Sequence, residues 1–146
     1  MPLPPFNEDG DLPPGIHPAS FSEVVRRFGI GTARRNVLGR RLERIYTLAE
    51  STGHLVRFVI FGSFITGKPE PNDVDVFLLM EDTFDVSTLT GELALLFQHG
   101  TAQDYFGGSV FWLRRVAVLG DEEIAVNHWQ VKRDGTTRGL VEIMAE

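Results

Sequence analysis

Two aspartates stand two residues apart in Asp73-Val74-Asp75, and nine residues separate them from the pair Gly62-Ser63. On a strand, residues i and i+2 share a face, so this spacing aims both carboxylates the same way while Val74 points into the core. Two such charges about 4 Å apart repel by up to ~4 kcal/mol at an effective dielectric of about 20. A hard divalent cation with oxygen ligands offsets that repulsion. Magnesium in particular takes one or two carboxylates and completes its octahedron with phosphate oxygens and water. Gly62-Ser63 supplies complementary chemistry: the glycine lets backbone N–H groups approach a phosphate closely, and the serine hydroxyl adds a donor. Together the two segments suit a metal-bound triphosphate and phosphoryl or nucleotidyl transfer. The competing readings are an acid-rich, solvated strand end for Asp73 and Asp75, and for Ser63 a turn residue bonding its own backbone.

The elements that must position these residues follow from periodicity. Val56, Phe58, Val59, Ile60 and Phe61 predict a buried strand over Leu55–Gly62, and Asp73–Met80 predicts a second. Ser20 with Glu23 reads as a capping box opening a helix over Phe21–Phe28 that stops at Gly29. Thr32 opens a second helix to about Ser51, with Leu38, Leu42, Ile45 and Ala49 forming one apolar stripe. Ser87 or Thr88 caps a third helix to about Phe97, and Ser109–Val118 reads as a third strand. Ile124–Lys132 and Leu140–Met144 are weaker strands flanking a hairpin turn at Asp134-Gly135. These elements predict an α+β fold, a mixed sheet with helices mainly on one face. Residues 1–19 are proline-rich and lack apolar periodicity, which marks an extended N-terminal arm ordered where Phe6, Leu12 or Ile16 can pack, ahead of a single domain over 20–146.

With 146 residues, 42% hydrophobic and 23% charged, the composition is that of one ordinary folded domain rather than a disordered chain. The absence of cysteine excludes disulfides, thiolate metal sites and a cysteine nucleophile. No apolar run approaches the roughly 20 residues that span a bilayer, and no secretory signal is evident, so a soluble, cytoplasmic protein with no membrane partner is expected. The net charge of −6 disfavours long duplex nucleic acid as a partner. That charge is uneven: between Ser20 and Arg57 eight arginines face three glutamates, a basic segment on an acidic body suited to an anionic ligand or an acidic partner. The four histidines show no metal-ligand pairing, and no Gly-x-Ser-x-Gly elbow supports a serine hydrolase. Phe111, Trp112 and Trp129 read more readily as core aromatics than as a base-stacking platform.

Gly62-Ser63 followed by Asp73-x-Asp75 on the next strand resembles the signature of the DNA polymerase β-like nucleotidyltransferase superfamily, especially its small bacterial, antitoxin-like members. The likeness covers Val56 to Met80 closely. The arm Leu12-Pro13-Pro14-Gly15-Ile16-His17 and the tail Arg133–Gly139 are similar more loosely to an uncharacterised bacterial branch with a minimal core. The resemblance implies a nucleotidyltransferase fold and transfer of a nucleoside monophosphate from an NTP to a protein, RNA or small-molecule hydroxyl, with two Mg²⁺ ions and release of pyrophosphate. It implies that Asp73 and Asp75 ligate the metals and that Gly62 and Ser63 bind the phosphates; by their own positions Lys68, beside the expected metal site, and Arg138 or Lys132, on the C-terminal hairpin, are candidates for further phosphate contacts, with a solvated loop lysine as the competing reading of Lys68. It also implies a third carboxylate near a later strand. Asp104 is the nearest acid upstream of the expected strand, and Ser109, at its start, stands where that third acid would sit. Small members of the superfamily act with a helical toxin partner, which makes such a protein a possible acceptor. The alternative is a non-catalytic nucleotide-binding or antitoxin module that keeps the fold without the full set of acids. A manganese-dependent glycosyltransferase would need a longer chain.

Overall fold

The computed structural model describes residues 3–118 and 120–145. In chain order its elements are β1 (Ile16–Ala19), α1 (Phe21–Phe28), α2 (Ala33–Ser51), β2 (Leu55–Phe61), β3 (Val74–Met80), α3 (Gly91–Leu96), α4 (His99–Phe106), β4 (Gly108–Arg114), α5 (Glu122–Asn127) and β5 (Leu140–Ile143). The helix starts are set by local chemistry. The Ser20 hydroxyl accepts the Glu23 N–H at 3.2 Å and the Thr32 hydroxyl accepts the Arg35 N–H at 3.1 Å, each satisfying a first-turn donor that the helix itself cannot.

The five strands form one mixed sheet in the order β1-β5-β2-β3-β4. β2 runs antiparallel to both β3 and β5, whereas β3–β4 and β1–β5 are parallel pairs. Alternation along the strands sorts the side chains to two faces. Phe58, Ile60, Val74, Val76, Leu78 and Val110 join Val24, Phe28, Leu38, Leu42, Ile45, Leu96, Ala102 and Phe106 from α1 to α4 in the larger core. Val59, Phe77 and Leu79 face the other way, where α5 and the turn after it cover them with Val126 and Trp129. The fold is α+β, with four helices on one face and one short helix on the other.

The arm packs as part of the domain. Leu3 and Leu12 are buried, and the Arg27 guanidinium lies 4.6 Å from the Phe6 ring centroid while donating to the Pro4 carbonyl at 2.9 Å. The end of the arm is β1, paired with β5 from Ile16↔Leu140 to Ala19↔Ile143. Among the described residues, no helix is long and apolar enough to cross a membrane.

Three expectations are corrected. Ile124–Lys132 is not a strand but α5 followed by a 3₁₀ turn over His128–Gln130. Asp121 caps it by accepting the Glu123 N–H, two glutamates occupy its first turn, and Val126 and Trp129, three apart, turn inward while Ile124 is 68% exposed. The strand expected over Ser109–Val118 ends at Arg114, and a 3₁₀ turn takes Arg115–Ala117. The helix expected from Ser87 divides into a 3₁₀ turn capped by Asp85 and the short α3, and the chain then forms α4, a helix that the sequence pattern does not predict. Only Ala102 and Phe106 of α4 are buried, a single i, i+4 pair closed by Gly107 in the left-handed region at φ +68°.

Candidate active-site cleft

Asp75 lies on β3 opposite Phe61 of β2 and Ser109 of β4, so two neighbouring strands flank it. Val74 and Val76 are fully buried on the helix-covered side, which leaves Asp73 and Asp75 on the face shared with Phe77. Burial, followed by the charge of Asp73, pushes the Asp75 carboxyl up from 3.8 to about 6; a hydrogen bond with Ser109 and the positive charge of Arg138 pull against that rise. A side-chain hydrogen bond with Asp73 adds to the rise.

Gly62 has a reason to be glycine that only the fold reveals. Its backbone has φ +84° and ψ −168°, a conformation that residues with a Cβ strongly disfavour. A Cβ built there would overlap Asp75 Oδ2 and come within 3.0 Å of Asp75 Cγ. The carboxylate thus lies directly over the bare Cα, and the Gly-Ser bend and the acidic pair become one site. After Gly62 the chain makes a 3₁₀ turn over Ser63–Ile65, closed by the Thr66 hydroxyl donating to the Ser63 carbonyl at 2.7 Å.

That turn is held from beneath by Arg35. Its guanidinium is buried and donates to the carbonyls of Phe28 at 3.0 Å, Phe64 at 2.8 Å and Thr66 at 2.8 Å, and also to that of Lys68. Burial lowers the pKa of this arginine and the nearby Glu70 raises it. In the sequence Arg35 reads only as one member of the basic segment. A signal was present: it stands three residues before Leu38, at the position that extends the apolar stripe of α2.

Across from the acids, the chain after α5 forms a hairpin. Val131 bridges Thr137, and Gly135 turns at φ +86° with Asp134 accepting the Thr136 N–H at 2.9 Å. This hairpin brings Lys132, Arg133 and Arg138 to a cleft of about 680 Å³ that Gly62, Ser63, Asp73, Asp75 and Ser109 also line. Phe61, Phe111 and Trp129 form an apolar wall of the same cleft, with Trp129 stacked on Phe61 at 4.7 Å between centroids. Trp112 lies on the other face, bonded to the Phe97 carbonyl at 3.0 Å.

Of the residues singled out from sequence, Gly62, Ser63, Asp73, Asp75 and Arg138 come together here. Lys68 and Asp104 do not. Lys68 is exposed on the loop beyond the 3₁₀ turn, and Asp104 is exposed on α4, where its neighbour Gln103 reaches the cleft and Asp104 does not; neither Lys68 nor Asp104 lines it. The position opposite Asp75 on β4 is filled by the neutral Ser109. Asp134 reaches the rim, where its Oδ1 accepts both the N–H and the hydroxyl of Thr136. Among the described residues no group of three or more His, Asp or Glu side chains gathers at metal-binding distance. The donor set of Asp73 and Asp75 fits one magnesium ion whose remaining positions are filled by phosphate and water. Among the described residues no further carboxylate gathers with these two to complete a second.

A family model, the family of unknown function DUF6932, matches residues 4–144 of the chain. The chain belongs to this family. No curated protein and no solved structure matches it. The matched span runs from the arm to the last strand, so the DUF6932 unit contains both walls of the cleft: the acids on β3 and the cations of the hairpin.

Proposed function

We propose that this cleft binds a magnesium–nucleoside triphosphate and that the protein is a nucleotidyltransferase with the fold of the DNA polymerase β-like superfamily. The observation that carries the reading is the seating of the Asp75 carboxylate over the Cα of Gly62, which unites an acidic pair and a phosphate-type bend opposite three cations. Asp73 and Asp75 would hold the metal, which when bound neutralises charge on the phosphates. Ser63 and the 3₁₀ turn would donate to the terminal phosphates, and Lys132, Arg133 and Arg138 would balance the remaining negative charge. In the reaction an acceptor hydroxyl would give up its proton to water as its oxygen bonds to the α-phosphorus, the α–β bridging P–O bond would break, and pyrophosphate would leave with the bonding electron pair. The acceptor would be a hydroxyl of a protein, a helical toxin included, of an RNA end or of a small metabolite.

A second reading has a specific observation in its favour. Ser109 stands opposite Asp75 where a third acid would help deprotonate the acceptor, and Asp104 lies outside the cleft. On that reading the protein binds the nucleotide without turning it over, as a binding or antitoxin module. Incubation with labelled ATP, CTP, GTP or UTP and Mg²⁺ separates the two. Pyrophosphate release and labelling that disappear in Asp75→Ala support the transferase. Magnesium-dependent binding without release supports the module, and no magnesium-assisted uptake at millimolar nucleotide refutes both.

A further inference from the structure

The cationic wall of the cleft is ordered by a carboxylate outside it. Asp11, in the N-terminal arm, is 7% exposed. Its Oδ2 lies 3.5 Å from the Lys132 ammonium and its Oδ1 lies 3.6 Å from the Arg138 guanidinium, although Asp11 and Lys132 are 121 positions apart in the chain. Asp11 is itself fixed: its N–H donates to Asn7 Oδ1 at 3.1 Å and its carbonyl accepts the Asn7 N–H at 2.7 Å. The backbone on both sides of Arg138 is tied to the same arm. The Gly139 N–H donates to the Leu12 carbonyl at 2.9 Å, and Gln130, whose carbonyl accepts the Arg138 N–H, receives the Gly15 N–H on its side chain at 2.6 Å. Lys132 and Arg138 nonetheless line the cleft, and Arg138 is close enough to Asp75 to lower its pKa.

We infer that Asp11 is a positioning residue for the anionic part of the ligand: it holds the Lys132 and Arg138 head groups facing the phosphates, so that the arm is a component of the ligand site. The inference takes its ligand class, a polyphosphate, from the function proposed above. An ammonium has three donors and a guanidinium five, so contact with one carboxylate leaves donors for phosphate on both. Two cations to one carboxylate, with Arg133 beside them, keep the wall net positive. Long side chains lose rotamer freedom when they clasp an anion, and a partner that has already restricted them removes most of that cost.

The test is calorimetry on the full chain with inorganic tripolyphosphate without metal, and separately with ATP and Mg²⁺, well below the melting temperature of each variant. Asp11→Asn is expected to weaken tripolyphosphate binding roughly tenfold, the ordering cost of the two side chains. It is expected to cause no further weakening once Lys132→Gln and Arg138→Gln are both present. Asp11→Glu, which keeps the charge but moves it by a methylene, should bind with an affinity between those of the wild type and Asp11→Asn. A purely structural staple would lower the melting temperature without moving affinity in the folded protein. Wild-type or tighter affinity in Asp11→Asn or Asp11→Glu, or equal weakening in the background lacking both cations, overturns the inference. A wild-type chain that binds tripolyphosphate but takes up no magnesium–ATP refutes the nucleotide reading and leaves the role of Asp11 standing. A chain that binds neither refutes both.

Discussion

Gly62→Ala probes the join between the two halves of the cleft. The substitution carries two separable costs. Holding alanine at φ +84° and ψ −168° strains the backbone by about 1–3 kcal/mol. The new methyl group also meets Asp75 Oδ2, so the carboxylate must leave its rotamer at about 0.5–1.5 kcal/mol. Only the second cost depends on Asp75. A double-mutant cycle with Asp75→Ala, followed by urea denaturation, should therefore show Gly62→Ala costing about 1 kcal/mol less in the Asp75→Ala background. In thermal melts that coupling corresponds to about 3 °C for a chain of this length. Strictly additive costs, within about 0.3 kcal/mol, would mean that the carboxylate does not sit over the glycine. The geometric basis of the site would then be lost.

Other substitutions test its electrostatics and its support. Asp75 binds its proton more tightly when folded, at about 6, than when unfolded, at 3.8, so between those values the unfolded chain is the less protonated state. Stability should fall as pH rises through that window, by about 3 kcal/mol in all, and the deficit should persist above it. Asp75→Asn should consequently be more stable than wild type by about that amount at pH 8, with the gap closing toward pH 4 in denaturant titrations; a pH-independent gap contradicts the assignment. Arg35→Met should cost at least about 3 kcal/mol, since it strips donors from several buried carbonyls, and hydrogen exchange should rise across residues 63–68. Gly139→Ala would drive a methyl group into the Pro13 carbonyl and to 2.8 Å from His17 Nε2, so it should loosen β1 from β5 and expose the arm to limited proteolysis. Ser109→Asp would set a third carboxylate opposite Asp75; it should destabilise the metal-free protein at pH 8 and be stabilised by millimolar Mg²⁺ more than wild type is.

Features written in short-range pattern were legible in the sequence. Ser20 and Thr32 cap α1 and α2 through side chains three residues from the amides they satisfy, and β2 and β3 needed only short continuous apolar runs of high β-propensity. The spacing of Gly62-Ser63 and Asp73-Val74-Asp75 was equally local, and the two segments do meet in one cleft. Tertiary structure decided the rest. Weakly periodic stretches took their form from packing: residues 122–130 became helical because Val126 and Trp129 had a sheet face to cover. Whether Asp104 could join the acids depended on how α4 is turned about its axis: Gln103 lines the cleft and the next residue, Asp104, does not. The contacts of Asp11 with Lys132 and Arg138, and the seat of Arg35 beneath the Gly-Ser bend, join residues far apart in the chain. Side-chain periodicity reports which way a residue faces along its own element. It carries no information about which distant charge the chain path will bring within 4 Å, and this cleft is built from such meetings.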